Sequence, residues 1–141
     1  MKQTGTDVAG LIARSSPEVR RRDAETLTAL MQEVSGREPE TWGTIIGFGR
    51  CEYRYPTGRT GKMALLSFAP RKAATTIYLI DGVDAHADEL TALGPHTTGV
   101  GCLYIPDLEK VDLDVLRGIL TRSLARVESG GGEGMQLTVL G

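Results

Sequence analysis

Between Ser16 and Gly36 the apolar residues Ala24, Leu27, Leu30, Met31 and Val34 return at steps of three and four, which predicts an amphipathic helix with one buried stripe. Its ends are marked as well. Ser16 suits the N-cap and Pro17 the first helical position, Glu18 favours the positive end of the helix dipole, and Gly36 supplies the stop. Arg20, Arg21 and Arg22 read as the solvated side of this helix. Val8, Leu11 and Ile12 behind Thr6 and Asp7 predict a shorter helix over residues 6–14. At the other end of the chain Val115, Leu116, Ile119, Leu120, Leu124 and Val127 predict a long helix from about Asp112 to Glu128.

From Ile45 the period shortens to two. Cys51, Tyr53 and Tyr55 alternate with Arg50, Glu52 and Arg54, the pattern of a half-buried strand. The loop PTGRTGK follows, then MALLSFA (63–69) as a second strand, a turn at PRKA, and TTIYLI (75–80) as a third. A short helix near 86–93 is stopped by Gly94 and Pro95, and GCLYI (101–105) reads as a fourth strand. SGGGEG (129–134) has the composition of a flexible linker, leaving MQLTVLG as a tail or an added strand. Helices before and after an antiparallel meander predict an α+β fold: a two-layer sandwich whose four-stranded sheet carries helices on one face. A single domain is expected over residues 1–128, followed by the linker and tail over 129–141.

Composition narrows the partners. The 141 residues carry 16 basic and 18 acidic side chains, a net charge of -2, and the basic ones are scattered apart from the arginine triplet. Such a balance argues against a nucleic-acid binder. No apolar run is long enough to span a bilayer and no export signal is recognisable, so a cytoplasmic, membrane-free protein is expected. Cys51 and Cys102 do not form a CxxC pair and are expected as free thiols.

Several stretches raise chemistry. GRTGKM (58–63) lacks the spacing of a phosphate loop and GFG (47–49) the third glycine of a dinucleotide fingerprint. DGVDAHADE (81–89) concentrates metal-capable donors, with Asp84, His86 and Asp88 as candidate ligands for iron(II) or a similar cation. The same carboxylates are equally accounted for as a helix cap and first-turn residues. His96 and Cys102 form a candidate base and thiol nucleophile, against which stands a turn histidine and a cysteine in a short buried strand. If Tyr53 and Tyr55 face the helices, Glu52 and Arg54 face away. The same alternation assigns Ser67, Thr76, Tyr78, Cys102 and Tyr104 to the uncovered side of the sheet. A polar face dotted with tyrosines suits a small ligand, a protein partner or a second copy of the chain, since tyrosine combines an apolar ring with a hydrogen-bonding tip. Trp42, the single tryptophan, is assigned to packing at the sheet edge.

Taken in order, RRRDAETLTALMQEVSGREPETWG, IIGFGRCEYRY, LLSFAPRKAATTIYL and LGPHTTGVGCLYIPDLEKVDLDVLRGIL resemble the YdhG-like family of bacterial domains of unknown function, over residues 18–122. That family includes a protein described as a frataxin-like intracellular iron chaperone. The resemblance implies an α+β fold and admits a role in iron handling, with iron as the candidate cofactor. Frataxin-like iron binding uses an acidic ridge, whereas here three arginines interrupt the acids of the first long helix. Thr97 and Val100 stand where basic residues are common in the family pattern, while Arg71 and Lys72 in FAPRK are kept as candidates to hold an anionic group. The resulting expectation is a non-catalytic binding or chaperone-type domain. Arg54, Arg71, Lys72, Tyr78 and Tyr104 are its candidate ligand-binding residues, and a small thiol enzyme or an interaction adaptor is the alternative.

Overall fold

The computed structural model describes residues 7–132 and 134–141; Thr6, named above as a flank of the first helix, and Glu133 of the glycine-rich segment lie outside them. Helix α1 spans Val8–Ala13, and the Asp7 carboxylate accepts from the Gly10 N–H at its start. Helix α2 runs Glu18–Ser35 and ends where Gly36 takes the left-handed conformation, φ 66°. Its N-cap is Pro17, which offers no side-chain acceptor, so Ser16 does not make the expected cap. Helix α3 is the single turn Ala87–Leu90, preceded by a 3-10 turn Val83–His86. Helix α4 covers Leu113–Glu128, with the Asp112 carboxylate accepting from the N–H groups of Asp114 and Val115.

The strands are β1 Pro39–Trp42, β2 Ile45–Phe48, β3 Cys51–Arg54, β4 Thr60–Met63, β5 Leu66–Pro70, β6 Thr75–Tyr78, β7 Thr97–Thr98, β8 Cys102–Ile105, β9 Gly131–Gly132 and β10 Met135–Val139. They form an antiparallel six-stranded sheet, β1-β2-β5-β6-β8-β7, and a second sheet, β4-β3-β10-β9. The α+β class holds, and the expected single sheet of four strands is corrected. One long hairpin runs through both sheets and breaks twice on the way, at Gly49–Arg50 and at Ala64–Leu65. A Leu65 N–H to Phe48 carbonyl bond of 3.1 Å carries the pairing across the break. Gly49 sits at φ 74°, a conformation that costs a side-chain-bearing residue steric energy and lets the chain change direction. MALLSFA is therefore two strands in two sheets. The segment after the glycines is β10, inserted between β3 and β9.

Helix α2 packs on β2, β5 and β6, and α4 packs on α2, β9 and β10. Leu27 and Met31 of α2, Ile119 and Leu120 of α4, and Phe48, Phe68, Ile77, Leu103 and Ile105 of the six-stranded sheet are fully buried together. Each such side chain contributes about 1.5–3 kcal/mol by leaving water. Arg20 and Asp23 belong to this interior: they are 2% and 1% exposed. The solvated reading of the arginine triplet is thus corrected for Arg20, which donates to the Thr75 hydroxyl (3.0 Å) and to the carbonyls of Ile105 and Pro106. Arg22 bridges Asp23, Asp107 and Glu109, and Asp23 accepts from the Leu108 N–H, so this ionic cluster fastens α2 to the chain leaving β8.

Candidate functional site

Cross-strand register decides which side chains share a face. Ser67, Tyr78 and Cys102 are successive partners across β5, β6 and β8, as are Ala69, Thr76, Tyr104 and Thr97 one step along. The intervening pairs Phe68, Ile77 and Leu103 point into the helices. Ser67, Thr76, Tyr78, Cys102 and Tyr104 therefore lie together on the side away from α2, as the alternation predicts. In the second sheet Cys51, Tyr53 and Leu137 turn to the core, leaving Glu52 and Arg54 on the outer face.

Where the two sheets diverge, a cavity of about 520 Å³ opens. The first sheet supplies Ser67, Tyr78 and Cys102, the second supplies Met63 and Met135, and Val100 and Gly101 form the lip. Tyr55, Ala64, Leu79 and Ile80 complete the lining, which contains no charged residue. Val100 is 79% exposed, which is unusual for a large apolar side chain and extends the apolar surface beyond the cavity. A second cavity, about 620 Å³, shares the Tyr55 and Met135 walls and is reached by Arg54.

The polar side of the first cavity is organised around Tyr78. Arg71 reaches across from the end of β5, donating to the Thr44 hydroxyl at 2.8 Å and to the Tyr78 hydroxyl at 3.4 Å. Both acceptors are neutral, and Arg71 has no carboxylate partner among the described residues. The Tyr104 hydroxyl is held protonated above its ordinary pKa, first by its hydrogen-bonding interaction with the Cys102 side chain, then by the charge the Cys102 thiolate would carry, by burial and by Tyr78. Lys72 is exposed beside Arg71. Of the candidate ligand-binding residues Tyr78 lines this cavity; Arg71 reaches it through the Tyr78 hydroxyl, and Tyr104 and Lys72 stand outside the lining. Arg54 stands at the second cavity.

Trp42 is 3% exposed, and its indole lies over Gly47, whose lack of a side chain makes the room: a Cβ there would fall 2.7 Å from Nε1 and 2.5 Å from the Ala64 Cβ. Ala64 also lines the cavity, and Trp42 Nε1 has no hydrogen-bond partner among the described residues.

The other candidate chemistries take different forms. His86 is wholly buried, with Nε2 2.8 Å from Asp81 Oδ2, while Asp81 Oδ1 accepts from the Ser123 hydroxyl at 2.7 Å. Asp84 and Asp88 are exposed. The structure does not bring Asp84, His86 and Asp88 together, and no group of three or more metal-capable side chains occurs among the described residues. Burial of the imidazole against Asp81, which sequence spacing alone does not reveal, takes the ring away from its two neighbours. The His96 ring bonds through Nδ1 to the Gly94 carbonyl at 2.6 Å, within its own turn, whereas the thiol of Cys102 has Tyr104 and Tyr78 for company. Cys51 is buried in the core, and burial pushes its thiol up to about 11. No helix among the described residues is long and apolar enough to cross a membrane.

No protein-family model, curated protein or solved structure matches this chain.

Proposed function

We propose that this chain is a non-catalytic binding domain whose ligand is a small molecule seated between the two sheets. The observation that carries this reading is the cavity of about 520 Å³, concave, mostly apolar and edged by a few convergent polar groups, the usual form of a small-molecule site. Binding is favoured over thiol catalysis because the imidazole of His96 is bonded to its own turn while the neighbours of Cys102 are phenols, which supply no general base at neutral pH. The reading is compatible with the YdhG-like resemblance in its binding aspect. Iron handling has no assembled donor set to support it among the described residues.

The test uses Cys102 as a marker inside the site. Cys51, buried and with its thiol titrating near 11, stays unreactive at pH 7.5, so native alkylation reads Cys102 alone. A fragment survey by ligand-observed NMR is expected to give binders that compete with a bulky maleimide for Cys102 and are lost from the modified protein. Binders that all survive modification, or a survey in which none competes, would remove the cavity as the functional site.

A further inference from the structure

We infer that the occupant of this cavity is an amphipathic anion: a small carboxylate whose apolar body lies between Met63, Met135 and Val100 and whose charged end meets Arg71 and Tyr78. This rests on the cavity being the ligand site and adds the class of ligand.

The charge of the lining supports it. Every side chain of the first cavity is apolar or a neutral hydroxyl or thiol, so a cation entering it would find no countercharge. A positive charge is nonetheless joined to the lining: the guanidinium of Arg71 donates to the Tyr78 hydroxyl at 3.4 Å. An exposed arginine on a protein carrying 18 acidic residues would ordinarily sit against one of them. Arg22, Arg37, Arg50, Arg117 and Arg122 all do, while Arg54 and Arg59, which like Arg71 have no carboxylate partner among the described residues, stand outside the lining of this cavity. Arg71 is instead spread between two neutral hydroxyls, with donor directions left over. Its planar fork is the group best matched to a carboxylate, and the Tyr78 hydroxyl, accepting from Arg71, has its own proton free to donate to the same oxygens.

The opposite end of the site fixes the rest of the ligand. Met63 and Met135 are unbranched and polarisable, and with Tyr55 they make an adaptable apolar wall. Val100 stays exposed at the lip, a position where a hydrocarbon body would cover it. A purely polar anion such as inorganic phosphate would leave this wall and lip uncovered. A purely apolar ligand would leave the guanidinium unused.

The experiment compares three probes of one chain length, octanoate, 1-octanol and octylamine, by their power to slow Cys102 alkylation at pH 7.5. Octanoate is expected to protect at a concentration about tenfold or more below octanol, the range for a hydrogen bond to a charged group, with octylamine weakest. Arg71→Gln should bring octanoate protection down to the level of octanol, and continued protection by octanol shows that the variant is folded with its cavity intact. Arg71→Lys, retaining charge without the fork, should retain part of the preference. Equal protection by octanoate and octanol, or a preference that survives Arg71→Gln, overturns the anionic assignment while the cavity remains a ligand site. Protection by none of the three overturns the amphipathic occupant, and the fragment survey then decides the cavity by itself.

Discussion

Arg20 shows how a residue's type and its position can disagree. Positions 20, 24, 27 and 31 follow the spacing of one helix face, and three of them are Ala, Leu and Met. Periodicity alone places Arg20 on the buried stripe; its charge, and two arginine neighbours, point outward. The interior wins because the long side chain can end on the Thr75 hydroxyl and two carbonyls at the end of β8, with Asp23 one turn along. Sequence carries no sign of those acceptors, which sit more than fifty residues away. Removing one partner of a buried ionic pair leaves the other uncompensated. Arg20→Met is therefore expected to lower stability by about 3 kcal/mol in urea unfolding, at the lower end of the range because Asp23 keeps Arg22 and the Leu108 N–H. A loss below about 1 kcal/mol would mean that the methionine stem replaces everything Arg20 supplies.

At the level of elements, the three helices with a clear stripe are legible to within about two residues from periodicity, even though the Ser16 cap expected for α2 does not form. Asp112 caps α4 and Gly36 stops α2. The strands are less legible. MALLSFA is apolar but for Ser67, and nothing in its composition announces that Met63 ends one strand while Leu66 begins another in a different sheet. β1 is four residues and β7 two, too short for alternation to register. The bend also gives Gly47 a role that the failed dinucleotide fingerprint could not suggest. It is the space into which the Trp42 indole and the Ala64 methyl fit. Gly47→Ala should cost about 1–3 kcal/mol through overpacking, seen as a lowered Tm, and Ala64→Gly in the same chain should recover part of it. An unchanged Tm in the single variant would show that the indole moves aside freely.

For the molecule as a whole, one buried carboxylate adds a polar tie between the closing helix and the chain leaving β6. Asp81, just beyond β6, accepts from Ser123 of α4 and pairs with His86, while Arg126 of α4 approaches to 3.8 Å. Burial pushes the Asp81 pKa up, but the hydrogen bonds from His86 and Ser123 prevail and hold it below the ordinary carboxyl value of 3.8. A depressed folded-state pKa means that the ionised group contributes stability above the unfolded value, and that this contribution is lost as pH falls through the folded one. Asp81→Asn should lower the Tm at pH 7, and its deficit against the wild type should shrink as the pH is taken from about 4 towards 2. A deficit that stays constant over that range would assign the effect to shape rather than charge. The residues of the sheet face away from α2 are legible in part for a related reason: alternation assigns faces correctly within one strand, so Tyr78, Cys102 and Tyr104 fall together. The contribution of Met63 and Met135 is not, because it depends on how the second sheet is set against the first.

The position of β10 bears on how the chain is made. β3 (Cys51–Arg54) pairs on one side with β4, close to it in sequence, and on the other with residues more than eighty positions further on. While the ribosome is still translating that interval, β3 presents an open row of amide and carbonyl groups, and the loop that must finally close is long. Leu137 of β10 is part of the core that α4 covers, so the last layer of the interior is added only when the segment beyond the glycines has emerged. The stretch whose composition reads as a flexible linker thus leads directly into the strand on which completion of the nascent fold waits.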